Sequence, residues 1–282
     1  MSRHNLTFLI GAVLADPAIH RNDEGTPVYA TCSLYVVRSV RDAGDRKNFM
    51  KPDDPLIMTR TPETMHEMEK WKKNDIVYIK GVVAAKNIMK SSYCTYCGEK
   101  NIAEGTVVYV NPIFAARLAE MRSEEEAQQY LAGMREVSNQ AYMIGTLCRD
   151  PVHVVPKEGL GLVQYQIALN RKYFIRTDPP EIRTDYPWVK SYGENASMDL
   201  AHLHTGSKIF IDGCLQARNV QRHMRCSACG ETYDWKERVM EIVPYETEYL
   251  ADFYTEEDLE NMKRSVVSTD SEDGGYDDDD IC

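Results

Sequence analysis

The 282-residue chain contains no run of about 20 apolar residues, so no segment is expected to cross a bilayer as a helix. Residues Met1 to Thr7 carry no apolar stretch of the kind a secretory leader needs, and a cytoplasmic location is expected. There is no P-loop, no Gly-x-Ser-x-Gly and no His-Glu-x-x-His, and none of the seven His forms a His-x-x-x-His pair. A non-enzymatic role is therefore expected. An excess of positive charge is missing too, since the net charge is −11. That argues against a polyanionic ligand only until it is divided. Residues 1–244 hold 31 Lys and Arg against 30 Asp and Glu, whereas the last 38 hold 2 against 14. The body is nearly neutral, so any basic groove on it has to be local.

What is present is a folded composition, 43% hydrophobic and 27% charged, together with eight Cys. Four of these form two Cys-x-x-Cys pairs, which in a reducing compartment read as metal ligands or redox pairs before they read as disulfides.

The chain repeats itself. Ile10-Gly11 and Asp16-Pro17 return as Ile144-Gly145 and Asp150-Pro151, at an offset of 134. Leu34 to Arg38 aligns with Ile167 to Arg171, and from there the offset settles at 132. Gly81 to Asn87 matches Gly213 to Asn219, Cys94 to Glu99 matches Cys226 to Glu231, and Pro112 matches Pro244. The period is too long for a solenoid and marks a duplicated domain. Each copy reads as strands, with Ile76–Ile79, Val107–Val110, Ile209–Ile211 and Val239–Val243 rich in β-branched residues. Pro112 and Pro244 are expected to stop the fifth strand of each copy. One helical stretch precedes the fourth strand, at 62–73 and at 196–204. The order strand–strand–strand–helix–strand–strand is that of an OB-fold, a small Greek-key barrel. The expected class is all-β with short helices, arranged as two tandem OB-fold barrels at 1–112 and 138–244. A helical linker at 113–137, a helical extension at 245–264 and a disordered acidic tail at 265–282 complete it.

These motifs resemble the bacterial single-stranded DNA-binding protein family. Leu9-Ile-Gly11 with Asp16-Pro17, and Met143-Ile-Gly145 with Asp150-Pro151, are similar to its first strand. Tyr165 to Arg171 resembles its third segment, Gly206 to Arg218 its fourth strand, and the acidic run into Ile281-Cys282 its tail. Family members usually carry one OB-fold and assemble four, so the resemblance implies that two copies of this fused chain form a homodimer. It implies binding of single-stranded DNA in replication, recombination or repair. Partner docking is implied through Asp277, Asp278, Asp279, Asp280, Ile281 and Cys282, although the usual Ile-Pro-Phe tip is absent. An origin in a bacterium, phage or mobile element fits equally. An OB protein for RNA or tRNA, or a replisome scaffold, is the alternative.

Single strands are held by stacking bases on rings while cations follow the phosphates. With strand period two, Tyr186, Trp188, Lys190 and Tyr192 are expected on one face, and Lys190 in the row argues against its burial. The resemblance places Tyr186, Tyr192 and Tyr173 where stacking aromatics sit. Arg38, Lys80, Lys86, Arg171 and Arg218 are the expected basic contacts. The first copy has Leu56 to Arg60 where the second has its rings, so the second copy is expected to bind more strongly.

Cys94-x-x-Cys97-Gly and Cys226-x-x-Cys229-Gly have the form of zinc knuckles, each supplying two of four ligands. Either both pairs share one zinc or each recruits others, His223 being the nearest candidate. Identical OB-folds in the family pair about a twofold axis, and that favours one shared zinc. Cys32, Cys148 and Cys214 read as core, and His202 and His204 as surface residues.

Overall fold

The computed structural model describes residues 4–39, 50–155, 161–177 and 183–270. The first copy comprises β1 (His4–Val13), β2 (Ala18–Arg21), β3 (Pro27–Ser39), β4 (Met50–Asp53), β5 (Leu56–Thr59), α1 (Pro62–Met68), β6 (Ile76–Tyr93) and β7 (Lys100–Ala119). After α2 (Glu124–Ala132) the second runs through β8 (Asn139–Leu147), β9 (Val152–Val154), β10 (Leu162–Asn170), β11 (Thr184–Asp185), β12 (Trp188–Tyr192), α3 (Gly193–His202), β13 (Lys208–Arg225) and β14 (Thr232–Ala251). α4 (Glu256–Asp270) follows.

Within each copy the strand pairings close into a ring. In the first, β1 joins β3 and β6, β5 joins β3 and runs parallel to β7 at Ile57 and Val110, and β6 joins β7. The second repeats this with β8, β10, β12, β14 and β13, including the parallel step at Val189 and Ile242. Alternating apolar residues fill the interior: Leu9, Leu34, Ile57 and Ile79 in one copy, Met143, Ile167, Val189 and Ile211 in the other, all fully buried.

The rings are fused through their first strands. β1 pairs antiparallel with β8 from His4 opposite Ile144 to Leu9 opposite Asn139. Thr7 lies opposite Ala141, its own equivalent at offset 134, so a local twofold axis passes between them. Equivalent side chains repeat the same bonds on both sides. The Asn5 amide donates to the Val83 carbonyl and accepts from the Val83 N–H, and Asn139 does the same with Leu215.

Several expectations need correction. Pro112 and Pro244 do not end their strands, because β7 runs on to Ala119 and β14 to Ala251. Each proline sits opposite a glycine, Gly81 or Gly213, at a shift in register. A Cβ on Gly81 would lie 2.8 Å from the Asn111 carbonyl, and one on Gly213 2.4 Å from the Val243 carbonyl. The bulge absorbs the missing N–H and glycine makes room for it. The stretch 113–137 accordingly opens as strand and is helical only in α2, capped by Ser123 Oγ accepting from the Glu126 N–H. The stretch 245–264 likewise begins as β14, and α4 reaches into 265–270, expected to be disordered; 271–282 lies outside the described residues. Cys32 and Cys214 are buried but Cys148 is half-exposed. His202 is buried, its Nδ1 2.5 Å from the Tyr254 carbonyl.

Candidate nucleic-acid interface and metal centre

Beyond Val83 and Leu215 the last two strands of each copy leave their rings and pair only with each other, for ten residue pairs in each hairpin. At 3.3–3.4 Å per residue these arms reach about 33 Å. Their tips meet. In the first, the Cys94 N–H donates to the Glu99 carbonyl and the Gly98 N–H to the Cys94 carbonyl; Cys226, Glu231 and Gly230 repeat the pattern. Gly98 and Gly230 have φ of +74° and +77°, a turn that other residues enter only with strain.

The knuckles are thus built alike, and the arms bring them together. The four Sγ atoms of Cys94, Cys97, Cys226 and Cys229 lie within 4.8 Å of one another. Cys94 Sγ is 3.7 Å from Cys229 Sγ and Cys97 Sγ 3.6 Å from Cys226 Sγ, contacts that exchange under the twofold. Around them Asn101 Oδ1 accepts from the Ser227 N–H at 2.9 Å, and the Ser92 and Tyr233 hydroxyls lie 2.7 Å apart. The backbone N–H of Cys229 leads the interactions that bring the Cys226 thiol down to about 6. For Cys97 the Glu99 N–H pulls the other way, but burial and the neighbouring thiols outweigh it and push the group up to about 12. The Cys226 thiolate forms readily while Cys97 and Cys229 resist, the state a cation relieves. His223 takes no part, pairing instead with Asp234 at 2.6 Å.

A cleft of about 560 Å³ runs between the base of the second arm, the β10–β12 face of its ring and the flank of the first arm. Tyr186, Trp188 and Lys190 line it, with Arg218. Tyr186 is 51% exposed, and the Arg149 guanidinium lies 5.2 Å from the Trp188 ring centre. Tyr192 falls outside the lining, half-buried. Lys190 is buried, contrary to expectation, because Glu241 answers its charge at 3.1 Å. Burial nonetheless pulls its ammonium below the ordinary lysine range.

Arg38 and Arg171, expected to meet phosphates, are buried elsewhere. Arg171 forms a two-pronged pair with Asp185, both bonds 2.6 Å, and Arg38 binds Asp53 at 2.7 Å. Each aspartate then crosses to the other copy: Asp185 Oδ1 accepts from the Ala85 N–H and Asp53 Oδ1 from the Ala217 N–H. They are reciprocal locks at the base of the arms. Lys80 and Tyr173 meet each other at 5.7 Å, with Phe8 on the lysine at 5.8 Å, away from the cleft. Lys86, half-buried on β6, is the first copy's counterpart of Arg218. The acidic tip, Asp277 to Cys282, lies outside the described residues.

Sequence reasoning missed Lys90, Arg222, Trp235, Glu237 and Glu241, all in the cleft wall. The signal was there: Trp235, Glu237, Val239 and Glu241 alternate along β14, and Lys90 is the offset-132 counterpart of Arg222.

Residues 138–227 match the family model described as the Single-strand binding protein family. No curated protein matches the chain. Among solved structures it is similar to a deletion variant of the single-stranded DNA-binding protein from Thermus aquaticus, with 18% identity and a TM-score of 0.57 over 91% of this chain and 100% of that one. The wild-type form of that protein is similar at 16% identity and a TM-score of 0.55, over 91% and 97%. At these identities the likeness is one of fold.

Proposed function

With residues 138–227 a Single-strand binding protein family domain, we propose that the chain binds single-stranded DNA in the cleft of its second copy, without catalysis. The observation that carries this reading is the meeting of Tyr186, Trp188 and Trp235 with five cations in one groove. Rings supply base-independent stacking and cations follow the phosphates. Titration with homopolymer DNA should quench tryptophan fluorescence with little dependence on base. Matched RNA oligomers test the alternative, and tighter binding of RNA would replace DNA as the ligand.

The four cysteines fit one zinc. Tetrahedral coordination at about 2.3 Å per bond sets sulfurs about 3.8 Å apart, close to the spacing at the arm tips. When bound, the ion would supply a structural cross-link between the arms. Elemental analysis should find one zinc per chain, and two would exclude a shared site.

A division into two domains belongs to the same reading, as does a homodimer of the fused chain, which light scattering would test. Residues 265–282 act as a competitor for the groove and a docking tip for replication or repair proteins. Deleting them should tighten DNA binding most at low salt. No described helix is long and apolar enough to cross a membrane.

A further inference from the structure

Every cation lining the cleft is already paired. Glu241 takes Arg218 in two bonds, 2.7 and 2.9 Å, and Lys190 at 3.1 Å. Glu237 takes Arg222 at 2.8 Å and also Lys90, which reaches across from the first arm while donating to the Thr106 carbonyl at 2.7 Å. Arg238 is paired with Asp54. Glu237 and Glu241 are both buried, on one face of β14, with Cα atoms about 13 Å apart along the groove.

Such pairs have two opposing effects on a phosphate ligand. They hold four long side chains in place, which lowers the ordering cost of binding. They also neutralise those side chains, so a strand that pairs with them frees a carboxylate, which takes up a cation and offsets one that the strand releases. The cations are half-dry, where a carboxylate's attraction is screened little, and so the second effect prevails.

Resting on the proposed function, we infer that Glu237 and Glu241 are internal phosphate mimics: they occupy the cation sites of the empty cleft and are displaced by the backbone of an entering strand. Binding is then an exchange of anions. Its salt dependence reflects fewer contacts than five cations suggest, and the strand leaves easily because a carboxylate is at hand to replace each phosphate.

The test measures affinity of the full chain for a fluorescein-labelled oligothymidylate across a salt series. It compares the wild type with Glu237→Gln and Glu241→Gln, which keep size and a hydrogen-bond acceptor but lose charge. Each should bind several-fold tighter at low salt. The slope of log affinity against log salt should steepen by about 0.7 for each cation freed. Melting temperatures establish that the variants are folded, and their different surroundings let one report if the other is impaired. The wild type gives an independent reading: both carboxylates should become more reactive toward a carbodiimide when the oligomer binds. Unchanged or weaker binding by folded variants, or unchanged carboxylate reactivity on binding, overturns the inference. If the wild type binds and Trp188→Ala weakens it while the glutamate variants change nothing, the inference alone falls. If the wild type does not bind the oligomer, the proposed function falls with it.

Discussion

Where the second copy presents Trp188, Lys190, Trp235 and Glu241, the first presents Leu56, Met58, Ala103 and Tyr109 at the same strand positions. The first set lines a cleft. Of the second, Leu56, Met58 and Tyr109 pack with Val82, Ala84 and Val107, and Ile175 and Tyr173 of the second copy close over them. Two faces built from one template have thus taken complementary uses, one furnished for a ligand and one consumed in holding the copies together. Shared backbone positions set where each face lies, and a handful of side chains decide whether it stays available.

The strongest test of that division is at the reciprocal locks, whose two halves are equivalent in position but not in depth. The Arg171 and Asp185 side chains are 4% and 0% exposed, against 10% and 3% for Arg38 and Asp53. Asp185→Asn takes the carboxylate from a buried ion pair and should cost about 3–5 kcal/mol of unfolding free energy by denaturant titration. Asp53→Asn should cost less, since the Arg38–Asp53 pair is the more exposed of the two. Equal losses would mean that the two copies share the load evenly.

Next in size is the contrast between the faces themselves. Trp188→Ala should weaken single-strand binding by about 1–3 kcal/mol in a fluorescence-anisotropy titration. Leu56→Ala, its counterpart, should leave affinity unchanged while lowering the melting temperature. A comparable loss of affinity from both would place a second strand path on the first copy.

The smallest effect is at the axis. Thr7 Oγ1 is buried without a hydrogen-bond partner among the described residues, whereas its counterpart Ala141 has no hydroxyl to satisfy. Thr7→Val should therefore stabilise the chain, by about 1 kcal/mol in the same denaturant titration. A loss of stability would mean that the hydroxyl is served by water.

Much of this was legible once the offset of 132 to 134 residues had been noticed. Strand order and the meeting of two knuckles follow from a duplicated pattern whose halves face one another, and Trp188 stood out in the aromatic row of the second copy alone. The misreadings share a cause. Arg38 and Arg171 looked like surface cations because their carboxylates lie 15 and 14 residues away and their backbone targets in the other copy. Pro112 and Pro244 looked like stops because the glycines that accommodate them are on a neighbouring strand. Lys190 looked exposed because Glu241 is 51 positions further on. Composition and periodicity report what a residue needs, and only the fold shows who provides it.

The pairing of β1 with β8 also sets a timetable for synthesis. β1 is complete by residue 13, yet the strand that covers its outer edge starts at residue 139. At a synthesis rate of about 5–20 residues per second the edge stays bare for roughly 6–25 s after it emerges. During that interval the nascent first copy offers a row of unpaired backbone groups to whatever strand is near. On a crowded messenger the nearest suitable strand is β8 of the chain ahead. Exchange of β8 between neighbours would then link chains made on the same message, and slower elongation would lengthen the window in which it happens.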